Sequence, residues 1–395
     1  MSIDALASAS FELNEDQRMI LEQADRFARE QLLPIAEKMD NEEWWPPELF
    51  ALIGQNGYLG ATIPEEFGGA GLDLLTAGII IQVFGRYNPA VALSYLAHDN
   101  LCANNIYRNG NAEQRAKYLP KLCSGEYVGA LGMTEPGAGS DAVQGMATTA
   151  RRVGDKYIVN GRKLFITNGP IADVVLVYAK TSPELGSHGI SALIVEKDHP
   201  GFAVAQKMIK MGYRGSQTGE LVFDDCEVPV ENLVGEEDGG VAVMMGGLDI
   251  ERAMIAPICI GKAERALELS VEFAKVREQF GKPIAEFQMI QGKLADMYTE
   301  LEAMRSLIYR TLAAADKLER GAGGRGEIHA MTAAAALYAG EAVNRILNEA
   351  VQIHGGMGYI WESEINRLFR ATKLLEIGAG TSEVRRIIIA EELLR

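Results

Sequence analysis

The sequence predicts an α+β fold, mostly α, in three parts: an N-terminal helical domain over 1–126, a central β-sheet domain over 127–238 and a C-terminal helical bundle over 239–395. Two observations carry this. Apolar residues recur at helical spacing at both ends of the chain, and between them the texture changes to short β-rich runs cut by Gly, Pro, Asp and Ser. A third excludes the main competitor: helices, then sheet, then helices is not the alternation of a βαβ repeat, so a doubly wound nucleotide fold is ruled against.

In the first part, Met19, Leu21, Ala24, Phe27 and Ala28 mark helical spacing, with breaks at Trp44-Trp45-Pro46-Pro47 and Gly68-Gly69-Ala70-Gly71. The longest apolar run, near Ala77 to Val83, is too short for a membrane span and lies inside a helical pattern. The middle part holds the runs KYIVNGRKLFITNG, ADVVLVYAKT, GISALIVEK, FAVAQKM and GELVFDDCEV, which predict a mostly antiparallel sheet. After Gly239-Gly240 long helices return. They are predicted over Val241–Ala274, from Pro283 to about Leu318, over Glu327–Ile353, and in a short last helix opened near Thr381.

Of 395 residues, 48% are apolar and 23% charged, which suits a globular chain of two or three domains and excludes a disordered or collagen-like one. Lys+Arg 38 against Asp+Glu 54 leaves a net charge of -16, so nucleic acid and anionic membranes are poor partners and an anionic ligand needs a local basic pocket. The opening MSIDALASASFELNEDQ has acids where a targeting peptide needs Arg or Lys, which predicts a protein that works where it is made, in a bacterial cytoplasm. Cys102, Cys123, Cys226 and Cys259 lie far apart without a C-x-x-C pair, and His98, His188, His199, His329 and His354 are scattered. Neither a disulfide framework nor a metal site is expected.

Two segments match the dinucleotide fingerprint formally: GAGSDA, Gly137 to Ala142, and GAGGRG, Gly321 to Gly326. Both lack the strand before and helix after that give the fingerprint its mechanism, so GAGGRG reads as an interhelical loop and GAGSDA as a turn. Thr134, Ser140 and the bare amides of the latter could still meet an anion or a ring edge.

The chemistry is expected elsewhere. The stripe Val241, Met244, Leu248, Ile255, Cys259 is interrupted at Glu251 and Arg252. An ion pair capping an interhelical seam fits, and so does a carboxylate base in an apolar cleft beside a cationic ligand contact. In EIGAGTSEVRR, Glu376 to Arg386, small residues precede a helix start whose free amides suit a phosphate or a carbonyl oxygen. The glycines of QIHGGMG, Gln352 to Gly358, read as a helix C-cap.

Together with ALGMTEPGAGSD, NGRKLFITNG and VREQFGKPIAEFQMIQGKLADMYTE, these segments give the chain a resemblance to the acyl-CoA dehydrogenase family from about Phe11 to the C-terminus. The resemblance implies FAD held between the β domain and the last bundle, a homotetramer, an acyl-CoA substrate and an electron-transfer flavoprotein as acceptor. SYLAHDNLCANNIYRNGN, GLDIER and EIGAGTSEVRR are most similar to the branch acting on isovaleryl-CoA, as in leucine degradation. In most members the residue before GTS is the catalytic Glu, whereas Ala379 stands here. In the isovaleryl branch the base comes from the helix carrying GLD-x-ER, which makes Glu251 the implied base.

The implied reaction is α-proton abstraction with β-hydride transfer to flavin, giving a trans-2-enoyl-CoA. The amide of Ala379 and a flavin ribityl hydroxyl would face the thioester oxygen. Implied cofactor contacts are Leu131, Met133, Thr134, Gly139, Ser140, Phe165, Ile166, Thr167, Thr381, Ser382 and Glu383. Phe280 is a further implied cofactor contact, and a neighbouring subunit's cofactor would be reached by Arg277, Gln288, Gln352, Gly355 and Gly356. Implied substrate contacts are Ser140, Asp249, Arg252, Gly378 and Ala379. Leu96 stands where the isovaleryl pattern has Gly, so straight short, 2-methyl-branched and terpenoid acyl chains also fit. A flavin monooxygenase on the same fold and a non-catalytic acyl-CoA-binding protein are the competing functions, and Glu251 speaks against both.

Overall fold

The computed structural model describes residues 13–318 and 323–395. The opening segment read above for targeting, up to residue 12, and Gly321-Ala322 of GAGGRG lie outside the described residues.

The first part is helical. Asn14 caps α1 (Glu15–Phe27) in a reciprocal box with Gln17, and a π-helical stretch over Ala28–Leu32 carries the chain into α2 (Leu33–Glu42). The next helices are α3 (Leu49–Gln55), α4 (Leu74–Tyr87) and α5 (Pro89–Leu96), with Asp73 and Asn88 as caps of the last two. A second π-helical stretch, Ala97–Ala103, leads to α6 (Asn104–Asn109) and α7 (Ala112–Ser124). α4 is buried along its whole length, which makes it a core helix between two layers.

The middle part is an eight-stranded sheet. Its strands are β1 (Gly129–Gly132), β2 (Thr149–Val153), β3 (Lys156–Thr167), β4 (Val174–Lys180), β5 (Ile190–Glu196), β6 (Phe202–Lys207), β7 (Thr218–Pro229) and β8 (Leu233–Val234). They run β6-β7-β3-β2-β4-β5-β8, with β1 added parallel to β4. The predicted strands are present, and pairing is antiparallel except for β1–β4 and one β2–β4 pair. β4 is buried on both faces. Val174, Leu176 and Tyr178 join the core shared with α7 and the following helix, whereas Val175, Val177 and Ala179 join the core inside the sheet.

The sheet is fastened to the first helices by buried polar side chains. His98 Nδ1 accepts from the Gly129 amide at 2.9 Å while Nε2 donates to the Leu122 carbonyl at 3.0 Å, a pattern that needs neutral imidazole. Burial agrees, holding that histidine down at about 4. Asn168, in left-handed conformation, donates to the carbonyls of Ser94 and Gly129.

The last part holds α8 (Gly240–Val276), α9 (Gln288–Ala315), α10 (Glu327–His354), α11 (Glu364–Arg370) and α12 (Ser382–Leu394). Two expectations are corrected. Pro283 does not open the second long helix: it closes a two-stranded pairing of Glu278–Gln279 with Lys282–Pro283, and a 3-10 turn follows before α9 begins at Gln288. The single apolar stripe of α8 is the other, because from Arg252 to Glu264 the helix is buried all round. It is the central rod, packed against α4, α9 and α10 at once. Gly261 allows the approach to α4, since a Cβ there would stand 1.9 Å from the Gln82 carbonyl oxygen.

The buried Glu264 at that crossing is paired. Glu264 accepts from Arg305 at 2.7 Å and from Gln82 at 2.8 Å, and the Tyr309 hydroxyl donates to Gln82 at 2.7 Å. Among the described residues no helix is long and apolar enough to cross a membrane, and no group of three or more His, Cys, Asp or Glu could hold a metal ion. All four cysteines are buried and unpaired.

Candidate active site

Glu251 lies in the N-terminal half of α8, half-buried where the helix leaves the β-domain contact and enters the bundle. Burial pushes its carboxyl up to about 7, against the opposing pull of the Arg252 and Arg385 guanidiniums. Tyr178 of β4 faces it: the Glu251 charge adds to the burial that raises this phenol, whose hydroxyl has no hydrogen-bond partner among the described residues.

The Gly378-Ala379-Gly380 turn closes on the same point. Ala379 (φ 57) and Gly380 (φ 88) are both left-handed, a conformation costly for alanine and held here by two arginines. Arg252 Nε donates to the Ala379 carbonyl at 3.4 Å. Buried Arg385 donates to the carbonyls of Gly378 at 2.5 Å, Leu375 at 2.8 Å and Ala336 at 3.1 Å. Asp249, next on the implied contact list, is 1% exposed with both carboxylate oxygens engaged inside the protein. Glu376 is half-buried and paired with Lys373.

The β domain supplies an exposed aromatic face. β3 is irregular between Lys163 and Ile166, and there Phe165 takes φ 61 and turns its ring outward, 63% exposed, while Ile166 is buried and Thr167 half-buried. Lys163 points inward instead, donating to Glu135 at 2.7 Å and the Met133 carbonyl at 3.1 Å. Glu135 also accepts from the amides of Ala147 and Thr148, which braces the TEPGAGS turn. Around that turn Leu131, Met133 and Thr134 are half-buried and Gly139 and Ser140 exposed. A Cβ at Gly137 or Gly139 would meet nothing within 4 Å.

In the last part of the chain, Thr381 caps α12 through the Val384 amide at 3.3 Å. The Ser382 hydroxyl is buried without a hydrogen-bond partner among the described residues, and Glu383 is exposed in the first turn. An outward ring, open glycine backbone and a helix start with a spare hydroxyl are the donor set a flavin dinucleotide needs, so the residues fit FAD.

The remaining implied contacts sit elsewhere. Arg277 follows α8, about 39 Å along the rod from Glu251 at the usual rise per residue. Phe280 is 94% exposed with φ 54, Gln288 and Gln352 are exposed, and Gly355 (φ 57) and Gly356 cap α10 as the C-cap reading expects. His354 stacks on Phe273 at 4.5 Å, which brings the QIHGG end beside the end of α8. The sequence thus contains two separated constellations, one around Glu251 and one at the far end of the bundle. Tyr178, His329 and Arg385 were missed: each reaches the site from a different element, and only His329, on an apolar helix face, left a readable signal.

A β-sheet between two helical parts, a raised carboxylate near an alanine turn, and side chains and amides that suit a flavin together fit a flavoprotein oxidoreductase of the acyl-thioester class. Comparison with known proteins gives the family. The acyl-CoA dehydrogenase N-terminal, middle and C-terminal domains match residues 14–126, 130–226 and 238–394. Isovaleryl-CoA dehydrogenase of Solanum tuberosum is 45% identical over 99% of this chain and 93% of its own length, and 2-methylacyl-CoA dehydrogenase of the same plant is 44% identical over the same shares. Among solved structures, a chain from a study of the electron transferring flavoprotein of Acidaminococcus fermentans superposes with TM-score 0.94 at 41% identity, covering 98% of this chain and 99% of that one. The FAD complex of PigA superposes with TM-score 0.91 at 32% identity, covering 97% and 98%. The chain belongs to the acyl-CoA dehydrogenase family, is an oxidoreductase and uses FAD.

Proposed function

We propose that the protein dehydrogenates a short or branched-chain acyl-CoA, isovaleryl-CoA or a 2-methyl-branched homologue, to the trans-2-enoyl-CoA, with Glu251 as the base. The observation that carries this is the half-buried Glu251 carboxyl, raised to about 7 beside the Gly378–Gly380 turn. A base near neutrality combines a usable ionised fraction with enough basicity to take a thioester α-proton. FAD, when bound, supplies the acceptor for the β-hydride.

The other tasks fall to the chain. The amide of Ala379 stabilises the oxygen that gains charge as Glu251 takes the proton, and Arg252 and Arg385 hold that turn in place. Phe165, Thr134, Ser140, Thr381 and Ser382 hold the cofactor, and Ser140 borders the acyl-CoA. Gly378 and Ala379 leave room at the acyl end, which suits a branched chain. Leu96 is buried at the end of α5, where the isovaleryl pattern has glycine, and its added bulk would favour a short one. An electron-transfer flavoprotein is the proposed acceptor, in keeping with the Acidaminococcus likeness. A homotetramer gives Arg277, Phe280, Gln288, Gln352, Gly355 and Gly356 a task, each subunit's bundle end lying against a neighbour's cofactor.

Anaerobic mixing of the FAD-loaded protein with isovaleryl-, 2-methylbutyryl-, butyryl- and citronellyl-CoA tests the reading. Bleaching of the flavin by the first two is expected. A flavin that stays oxidised with every thioester and bleaches only with a separate reductant would overturn it.

A further inference from the structure

Asp249 is the hub of a buried network that joins three chain segments. Its Oδ1 accepts from His329 Nδ1 of α10 at 2.6 Å and from Arg252 Nη1 at 3.2 Å, and its Oδ2 accepts from the Gly324 amide at 2.6 Å. Arg252 in turn reaches the Ala379 carbonyl at 3.4 Å. Asp249, Arg252 and His329 are 1%, 4% and 7% exposed, so none of the three can exchange these partners for bulk water. Since an ionised carboxylate only accepts, His329 carries its proton on Nδ1.

Both bonds of Arg252 are long for a charged donor, which when unopposed settles at about 2.7–2.9 Å on a carboxylate, often through two parallel bonds. Here the short contacts to Asp249 are taken by His329 and the Gly324 amide. The guanidinium is left shared between Asp249 and the Ala379 carbonyl. Without His329, Asp249 Oδ1 would have Arg252 as its one remaining partner in the network and would draw it off Ala379. The left-handed turn would then lose one of its two anchors.

We propose that His329 is a positioning residue: by occupying Asp249 it keeps Arg252 turned to the Ala379 carbonyl and so fixes the turn that faces Glu251. The consequence for rate rests on the dehydrogenase reading, whereas the consequence for the turn does not. H329N sets an amide N–H where Nδ1 stands, H329Q moves it one methylene outward, and H329L removes it. In the FAD-loaded protein, amide hydrogen exchange at Ala379 and Gly380 is expected to quicken at least about tenfold in H329L and H329Q and to stay within about threefold of wild type in H329N. Flavin bleaching at saturating acyl-CoA should slow at least about tenfold in the same two variants and stay near wild type in H329N, because a displaced oxyanion donor is felt in the chemical step. Should H329L fail to fold, H329Q against H329N makes the same comparison. Unchanged exchange in H329L and H329Q, or H329N as loose as either, would overturn the proposal. Wild-type protein that no acyl-CoA bleaches, with the exchange difference intact, would sink the dehydrogenase reading and leave His329 its role.

Discussion

At the scale of single residues two acids compete for the role of base, and their surroundings separate them. Glu376 is committed to Lys373 three residues away, whereas Glu251 lies among buried groups with its carboxyl raised to about 7. E251Q is expected to keep FAD and acyl-CoA binding and to lose turnover by at least about a thousandfold, the scale of a missing positioned base. E376Q should keep most activity, and E251Q carrying A379E should regain part of the rate in the same assay. The pH profile follows from the ionised form being the active one: the rate of flavin bleaching should fall below about 7 and level off above it. Stability runs the other way. A carboxyl raised from 4.5 to about 7 on folding contributes stability that is present below 4.5 and lost as the pH rises through about 7. Thermal melts of E251Q should therefore exceed wild type above pH 7 and converge with it below 4.5.

At the scale of elements the close α4–α8 crossing is the sensitive one. G261A would press a methyl group against the Gln82 carbonyl, and urea unfolding should show a loss of about 2–4 kcal/mol. Much of the fold was legible because its periods are clean: the strands of the middle part and the helices around Val241–Ala274 and Glu327–Ile353 are present within a few residues. α8 was misread as one-striped because its burial on every side comes from three other helices, which no single-helix period records. Glu251 could be singled out because it interrupts an apolar run. Tyr178 could not, since β4 is buried on both faces and offers no alternation to set one position apart. Arg385 looked like one more arginine of EVRR, and its buried carbonyl contacts come from segments up to 49 residues away.

At the scale of the whole molecule a set of exposed apolar side chains lies at the end of the bundle far from Glu251, Val276, Phe280, Met289 and Tyr359, each at least 78% exposed. With the proposed homotetramer built through this end, F280D is expected to give smaller species than wild type in light scattering and to weaken FAD retention on dilution. The length of α8 carries a genetic consequence. In a helix of 37 residues, Glu251 and Arg277 lie too far apart to meet one cofactor, so with Arg277 in its proposed role each catalytic centre would be assembled from two copies of the chain. Two alleles, each silent alone, could then complement. Co-expressed E251Q and R277A chains should form mixed tetramers in which an R277A subunit keeps its own Glu251 and borrows Arg277 from its neighbour, and activity should exceed that of either homotetramer. Equal activity in the mixture and in the separate proteins would mean that each chain completes its centre unaided.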